Sequence, residues 1–404
     1  MKLSWRGANL LFLACSSVQF AAEGHMNAFT PLLLRELGLT PAEIAVWTGL
    51  LVAIMMSTAL PLAPFWGVLA ERYSRRPVVL RGYVLLAGAL LIAAWAADVR
   101  WLIVARLLMG LCFGTGGVIV ATQAMITPRN RLGSAIATVQ AAQPVAASFG
   151  PPLGALAIPL IGLRGLFLAD AVMTLVAALG LALLMPEPAG RVKRGSVLGR
   201  TGEVVGLVWT TRPIRWNFFS SFLMRGGTSV VDAYLPVRIT QLAPDPAAAI
   251  GWILGVYGAL TTVATWLVGR VVDRTDETVL YWRAMLFAAV VTVGMALSPS
   301  VYLLGIAAAL RSIPVAASNT VLYAHAARVL PAEEQTAVFS LSPVPRNAAN
   351  LVFPLLAATV AGLVPGAALA LGAASYGCTF LAGLRLAAVT RATEGRIGRA
   401  VTAS

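Results

Sequence analysis

Apolar runs of about twenty residues, the length that carries a helix across a bilayer, alternate along this chain with short polar connections rich in arginine. The pattern predicts twelve spans: 8–31, 44–66, 77–97, 101–125, 134–160, 164–185, 215–238, 250–270, 281–298, 301–325, 336–361 and 364–388. Connections between the third and fourth and the ninth and tenth spans are very short, which makes each pair antiparallel neighbours. One connection is long, polar and basic, with Arg191, Lys193, Arg194, Arg200 and Arg212. It falls at the chain midpoint and reads as a cytoplasmic linker, 187–214, between six-helix halves at 1–186 and 215–390, with a cytoplasmic tail at 391–404. The expected fold is an all-α membrane protein of two pseudo-symmetric halves.

The halves repeat one another in sequence. Gly67-Val68-Leu69-Ala70-Glu71-Arg72-Tyr73-Ser74-Arg75-Arg76-Pro77 returns in weaker form as Gly269-Arg270-Val271-Val272-Asp273-Arg274, an offset of 202 (269 minus 67). Asn27-Ala28-Phe29-Thr30-Pro31 pairs with Asp232-Ala233-Tyr234-Leu235-Pro236 at offset 205, and Trp47 pairs with Trp252 at the same offset. Phe149-Gly150-Pro151 answers Val352-Phe353-Pro354 at offset 203. A parallel repeat about an axis normal to the membrane is implied, with the site expected between the halves near mid-membrane.

Composition agrees with the pattern: 59% hydrophobic and 11% charged residues, with a mean hydropathy of +0.82, exclude an ordinary soluble domain. A net charge of +14 invites a nucleic-acid reading. The basic residues, however, are spread through the connections instead of forming one face, so no nucleic-acid partner is expected. With both termini cytoplasmic, 22 of the 30 lysines and arginines fall on the inner side, against Arg35, Arg100, Arg164 and Arg238 outside. That asymmetry sets the expected orientation. No secretory signal is evident. Cys15, Cys112 and Cys378 lie in apolar runs without metal spacing and read as packing residues.

Polar residues inside spans are costly and therefore informative. Gln19, Glu23 and Asn27 recur at four-residue spacing along one face of the first span. Glu23 is the leading proton-carrying carboxylate, with a structural carboxylate as the alternative. In the seventh span Arg225 and Asp232 are two turns apart; Asp232 is read as exchanging a proton with Arg225 as counter-charge, or as half of a static pair. Arg346 occupies the repeat position of Gln143 at offset 203, and both are substrate-cavity candidates alongside Gln19, Asn27, Phe20 and Tyr234. Arg106 lies under two turns into the fourth span, where snorkelling to the outer surface is the plain reading. Asp170 reads as structural, Arg311 has no evident partner, and neither His25 nor His325 is a convincing ligand. With no G-x-x-x-x-G-K-[ST] loop, H-E-x-x-H motif or Cys/His cluster, neither an enzyme nor a metal or organic cofactor is expected; energy comes from an ion gradient.

Residues 67–76 resemble the G-x-L-A-D-R-x-G-R-K loop of the major facilitator superfamily, with Glu71 for Asp and Ser74 for the second Gly. Arg106, Gly110 and Gly114 resemble the R-x-x-x-G-x-x-x-G pattern in the fourth helix of its twelve-span drug:proton antiporters. Gly150-Pro151-Pro152-Leu153-Gly154 is similar to their helix-5 G-P-x-x-G segment, although Ala142 and Ala146 replace upstream glycines. Pro64-Phe65-Trp66-Gly67, Pro128-Arg129-Asn130-Arg131 and Arg346 look like the MdtG-type multidrug exporters.

The resemblance implies a cytoplasmic gating latch at Gly67, Glu71, Arg72, Arg75, Arg76, Asp273 and Arg274, and a role in proton coupling for Arg106. Arg72, Arg75 and Arg76 are also expected among anionic headgroups of the inner leaflet. The expected function is secondary active efflux of amphipathic drugs in exchange for protons, by a monomer in the bacterial cytoplasmic membrane. Alternatives are a carrier of an anionic metabolite using Arg225, Arg311 and Arg346, a lipid flippase, or a receptor on the same scaffold.

Overall fold

The computed structural model describes residues 3–72, 74–187, 209–272, 275–329 and 343–402, and these are helical with no strand. The helices are α1 (Trp5–Glu36), α2 (Pro41–Arg72), α3 (Arg75–Ala94), α4 (Val99–Leu111), α5 (Thr115–Ile126), α6 (Leu132–Gln140) and α7 (Ala142–Leu184), then α8 (Arg212–Leu242), α9 (Pro246–Val272), α10 (Glu277–Leu297), α11 (Val301–Val329), α12 (Pro343–Ala361) and α13 (Ala367–Thr402). Eight helical segments among the described residues are long and apolar enough to cross a membrane, and the chain is an integral membrane protein. Helices α1, α8 and α12 are not among the eight. They carry Gln19 and Glu23, Arg225 and Asp232, and Arg346, whereas Arg106 and Gln143 lie on segments that are among the eight.

Local sequence explains most of the ends. Ser4 caps α1 by accepting from the Gly7 N–H at 3.2 Å. Thr40 and Glu43 form a reciprocal capping box at the start of α2, with the Thr40 N–H donating to Glu43 Oε2 at 2.8 Å. Asp98 caps α4 through the Arg100 N–H.

Two breaks depart from the expected spans. The fourth span is two helices, α4 and α5, because Gly114 takes the left-handed conformation at φ 91°. The fifth and sixth spans run on as α7, whose 43 residues would extend about 65 Å. That is roughly twice the apolar thickness of a bilayer, and non-helical Gly162 (φ 74°) divides it into two arms. Only α6 precedes it, turned at Ala141. At the other end of the chain, the expected tail continues α13 as far as Thr402. The linker residues 188–208, Tyr73, Asp273, Arg274, residues 330–342 and the side chains of Gly67, Glu71 and Arg72 lie outside the described residues.

By spatial proximity the chain sorts into two units, Met1–Lys193 with Pro236–Ala259, and Arg194–Leu235 with Leu260–Ser404. In the first, Phe12, Val79, Tyr83, Ile119, Val139 and Leu181 belong to one apolar cluster drawn from α1, α3, α5, α6 and α7. Gly110 lets α4 lie against the Met55 carbonyl and the Thr58 side chain of α2, where a β-carbon would collide. Along α9, Gly251, Gly255 and Gly258 lie against the backbone of α7 at Pro151, Ser148 and Ala147. Pro151 and Pro152 have no N–H to donate four residues back, so the Ala147 and Ser148 carbonyls lose their helical partners; both are directed at this glycine face.

In the second unit, buried Tyr281, Met285, Ala288 and Met295 line α10. Its N-cap, Asp276, accepts from the Thr278 and Val279 N–H groups at 2.9 and 3.2 Å and from Arg391 Nη2 at 3.2 Å. Partial burial opposes ionisation of Asp276, but the hydrogen bonds from Thr278, Val279 and Arg391 outweigh it and hold its carboxyl below the usual carboxylate range. Beside it Arg328 pairs with Glu277.

Candidate functional site

The polar stripe on α1 is real in three dimensions. Gln19 Nε2 donates to Glu23 Oε1 at 2.9 Å, with Gln19 buried and Glu23 half-buried. One turn further, exposed Asn27 accepts from Arg106 Nη1. Arg106 does not snorkel: it is 1% exposed, and its Nη2 donates to the Met26 carbonyl at 3.1 Å and to Thr30 Oγ1 at 2.6 Å. Helix α4 lies close against α2 at Gly110, and its arginine reaches α1 instead of the surface. Among the described residues, every hydrogen-bond partner of this buried cation is neutral.

The second unit builds the counterpart with a charge added. Arg311 is 0% exposed. Its Nη2 donates to Asp232 Oδ1 at 2.8 Å and its Nη1 to the Tyr376 hydroxyl at 2.9 Å; that hydroxyl also bonds Thr228 Oγ1 at 3.0 Å. Arg311 follows Arg106 by 205 residues (311 minus 106), and Asp232 follows Asn27 by 205 (232 minus 27). The repeat thus places a buried arginine on a helix-1-type residue in each unit, with an amide in one and a carboxylate in the other.

Arg225 is directed away from Asp232: its Nε donates to Asn350 Oδ1 at 2.8 Å. Two turns along a helix leave a gap between their stems, whereas Arg311 reaches Asp232 directly from α11. Arg311, without an evident partner in the sequence, is therefore the residue that neutralises the site. Of the other cavity candidates, Gln143 is exposed, Phe20 and Arg346 are half-buried and Tyr234 is buried. In the basic loop Ser74 Oγ bonds Glu187, and Arg76 Nη2 donates to the Met185 carbonyl. Arg76 is thus tied to the end of α7, not committed to lipid alone.

The sequence reading missed His25. Its Nδ1 lies 2.9 and 3.1 Å from the two Asp170 carboxylate oxygens, and its Nε2 lies 2.7 Å from the Gly150 carbonyl oxygen. Gly154 makes room for the ring, since a β-carbon there would press on His25 and Phe29. Two members of the helix-5 motif, Gly150 and Gly154, thus serve a histidine on α1, and Pro151 packs on α9. His325 also has both ring nitrogens engaged, with Asn217 Nδ2 at 3.2 Å and Thr390 Oγ1 at 3.0 Å.

Comparison with known proteins agrees with this architecture. The family model described as Major Facilitator Superfamily matches residues 11–354. Multidrug resistance protein MdtG of Citrobacter koseri is 26% identical over 370 residues, covering 89% of each chain. A multi-drug resistance efflux pump PmrA homolog of Lactococcus lactis is 22% identical over 342 residues, covering 83% of this chain and 84% of that one. A crystal structure of the nucleoside transporter NupG shares the fold with a TM-score of 0.78 at 12% identity, covering 94% of this chain and 99% of that one.

Proposed function

The chain belongs to the major facilitator superfamily and is a membrane transporter, and from that premise we propose that it exports amphipathic drugs in exchange for protons by alternating access. The efflux relatives support drug export, since their similarity extends over most of both chains. Proton coupling is supported chiefly by Asp232, a carboxylate whose side chain is 42% exposed although it is paired with a fully buried arginine. Protonation removes the negative charge facing Arg311 and so changes the electrostatic state inside the protein. Glu23, held by Gln19, is the candidate acid of the first unit, one turn before the position that answers Asp232. A proton moving down 100 mV contributes about 2.3 kcal/mol. The same reading places the protein as a monomer in the bacterial cytoplasmic membrane with both termini cytoplasmic, and the basic loop at 72–76 among anionic lipids.

Everted vesicles loaded by a fluorescent cationic drug test the coupling. Asp232→Asn and Glu23→Gln are each expected to cut gradient-driven uptake at least tenfold, and the double variant to abolish it. Full uptake by the double variant overturns the assignment of these carboxylates.

A second reading rests on Arg106. A buried guanidinium with only neutral partners among the described residues is suited to an anionic group on a substrate, and Asn27 beside it is exposed. Competition by anionic, cationic and neutral substrates in the same vesicles separates this reading from drug export: inhibition by the anions alone favours it.

A further inference from the structure

We infer that His25 and Asp170 form a one-proton site that clamps α1 to both arms of α7, a site separate from the carboxylates proposed for coupling. The geometry sets the proton count. The Gly150 carbonyl can only accept, so Nε2 must carry a hydrogen to make its 2.7 Å contact. An ionised carboxylate also only accepts, and Nδ1 faces both Asp170 oxygens, at 2.9 and 3.1 Å. Both contacts are satisfied together when the pair holds one proton more than a neutral imidazole and a carboxylate. Imidazole ordinarily binds a proton about 2.6 units more tightly than an aspartate, which places that proton on the ring and leaves Asp170 as its counter-ion.

His325 shows what the alternative looks like. Asn217 Nδ2 can only donate, so Nδ1 of His325 must accept. The Thr390 hydroxyl already donates to the Leu386 carbonyl, so it accepts from Nε2. That histidine is held as a single neutral tautomer. The chain contains two histidines; one sits between two acceptors and the other between a donor and an acceptor.

The site also has a mechanical role. Gly150 lies before the Gly162 break in α7 and Asp170 after it, so one side chain of α1 holds both arms. Loss of the proton sacrifices one contact, because a neutral ring cannot donate from both nitrogens. Asp170 is 13% exposed. Other ionisable groups on helices packed around α1 are Cys15 and Glu23 on α1, Arg81 and Tyr83 on α3 and Arg106 on α4, with Arg164 and Glu36 paired beyond. None of these is hydrogen-bonded to His25. Glu23 is two residues away, about 200° around the helix, so α1 carries two acid–base groups on opposite faces.

Histidine-selective nitrogen-15 labelling of the full-length protein in lipid nanodiscs reads the site without substrate or gradient, and so independently of the export reading. Between about pH 6 and pH 8, His25 is expected to show two protonated ring nitrogens and His325 one, with assignment from His325→Gln. Asp170→Asn is expected to turn the His25 signal into that of a neutral ring, while Asp170→Glu keeps the imidazolium. A neutral His25 in the unaltered protein over this range overturns the proposal, as does an imidazolium that persists in Asp170→Asn. If Asp170→Asn does not fold, the unaltered protein and Asp170→Glu decide the matter: a neutral ring in either refutes the site.

Discussion

Arg311 is entirely enclosed by protein, yet Asp232, which accepts from its Nη2 at 2.8 Å, keeps 42% of its side chain exposed. The pair is lopsided: one charge is wholly covered by protein and the other is partly uncovered. Removing the accessible partner takes the carboxylate away from the inaccessible one, and breaking a buried pair in this way costs about 3–5 kcal/mol. Asp232→Ala is accordingly expected to lower thermal stability by about 2 kcal/mol or more, allowing for the exposure of the aspartate. Arg311→Met combined with Asp232→Leu is expected to recover most of that loss. Melting of the detergent-purified variants measures both, and a single variant as stable as the parent would contradict the pairing.

The amide at Asn27 admits the reverse experiment. Asn27→Asp gives Arg106 the carboxylate that Arg311 already has and should stabilise the first unit by about 1 kcal/mol at neutral pH. Because the gain requires an ionised carboxylate, it should be present above the ordinary aspartate range and be lost progressively as pH falls below it. A stability difference that does not change with pH would show that the new side chain is not paired with Arg106.

Close packing at Gly110 separates two kinds of glycine. A methyl there meets the Met55 carbonyl and Thr58, whereas at Gly117 it meets nothing within 4 Å. Gly110→Ala is expected to cost about 1–3 kcal/mol by overpacking, while Gly117→Ala, within α5, should be neutral or slightly stabilising. Thermal denaturation of the two variants checks the contrast, which disappears if α2 and α4 are not in contact at this level.

Acid sensitivity is expected from Asp276. Its carboxyl is held below the usual range by the α10 amides, Thr278 and Arg391, so its contribution is present above the unfolded-state pKa and is lost as pH falls through the folded one. Asp276→Asn removes that dependence while retaining a side-chain cap. Unfolding followed from pH 7 down to about pH 3 should therefore show a smaller loss in Asp276→Asn than in the parent; equal losses would leave the cap without an ionic component.

Much of the helical layout is readable from hydropathy alone, because the membrane demands long apolar stretches and little else there. The α1 stripe was legible too, since residues four apart share a face. The partners of Arg106 and Arg311 were not. Each arginine binds a residue 79 positions earlier, and helical periodicity is silent about which neighbouring helix faces which. Arg225 was set against Asp232 because both are on one helix; the cation that reaches it in space comes from α11.

The common offset of 205 is available for the arginines, as it is for Asn27 and Asp232; projecting the repeat onto the fourth and tenth spans matches the two arginines to each other without showing what either one meets. His25 lies 145 residues from Asp170, and no local signal marks that contact. Gly114 and Gly162 could not be distinguished beforehand from glycines that remain inside helices, such as Gly116 and Gly117, because the residue permits a break without requiring one.

The seam between α7 and α9 has a further consequence. At Gly251, Gly255 and Gly258 it brings a glycine backbone against α7 carbonyls and the short, rotamer-free side chains of Ala155 and Pro152, with the Ala147 and Ser148 carbonyls already released by the prolines. A surface of this kind has no interlocking side chains that must change rotamer when one helix slides along the other. Displacement along the seam is therefore not opposed by rotamer changes, even though the contact itself is tight.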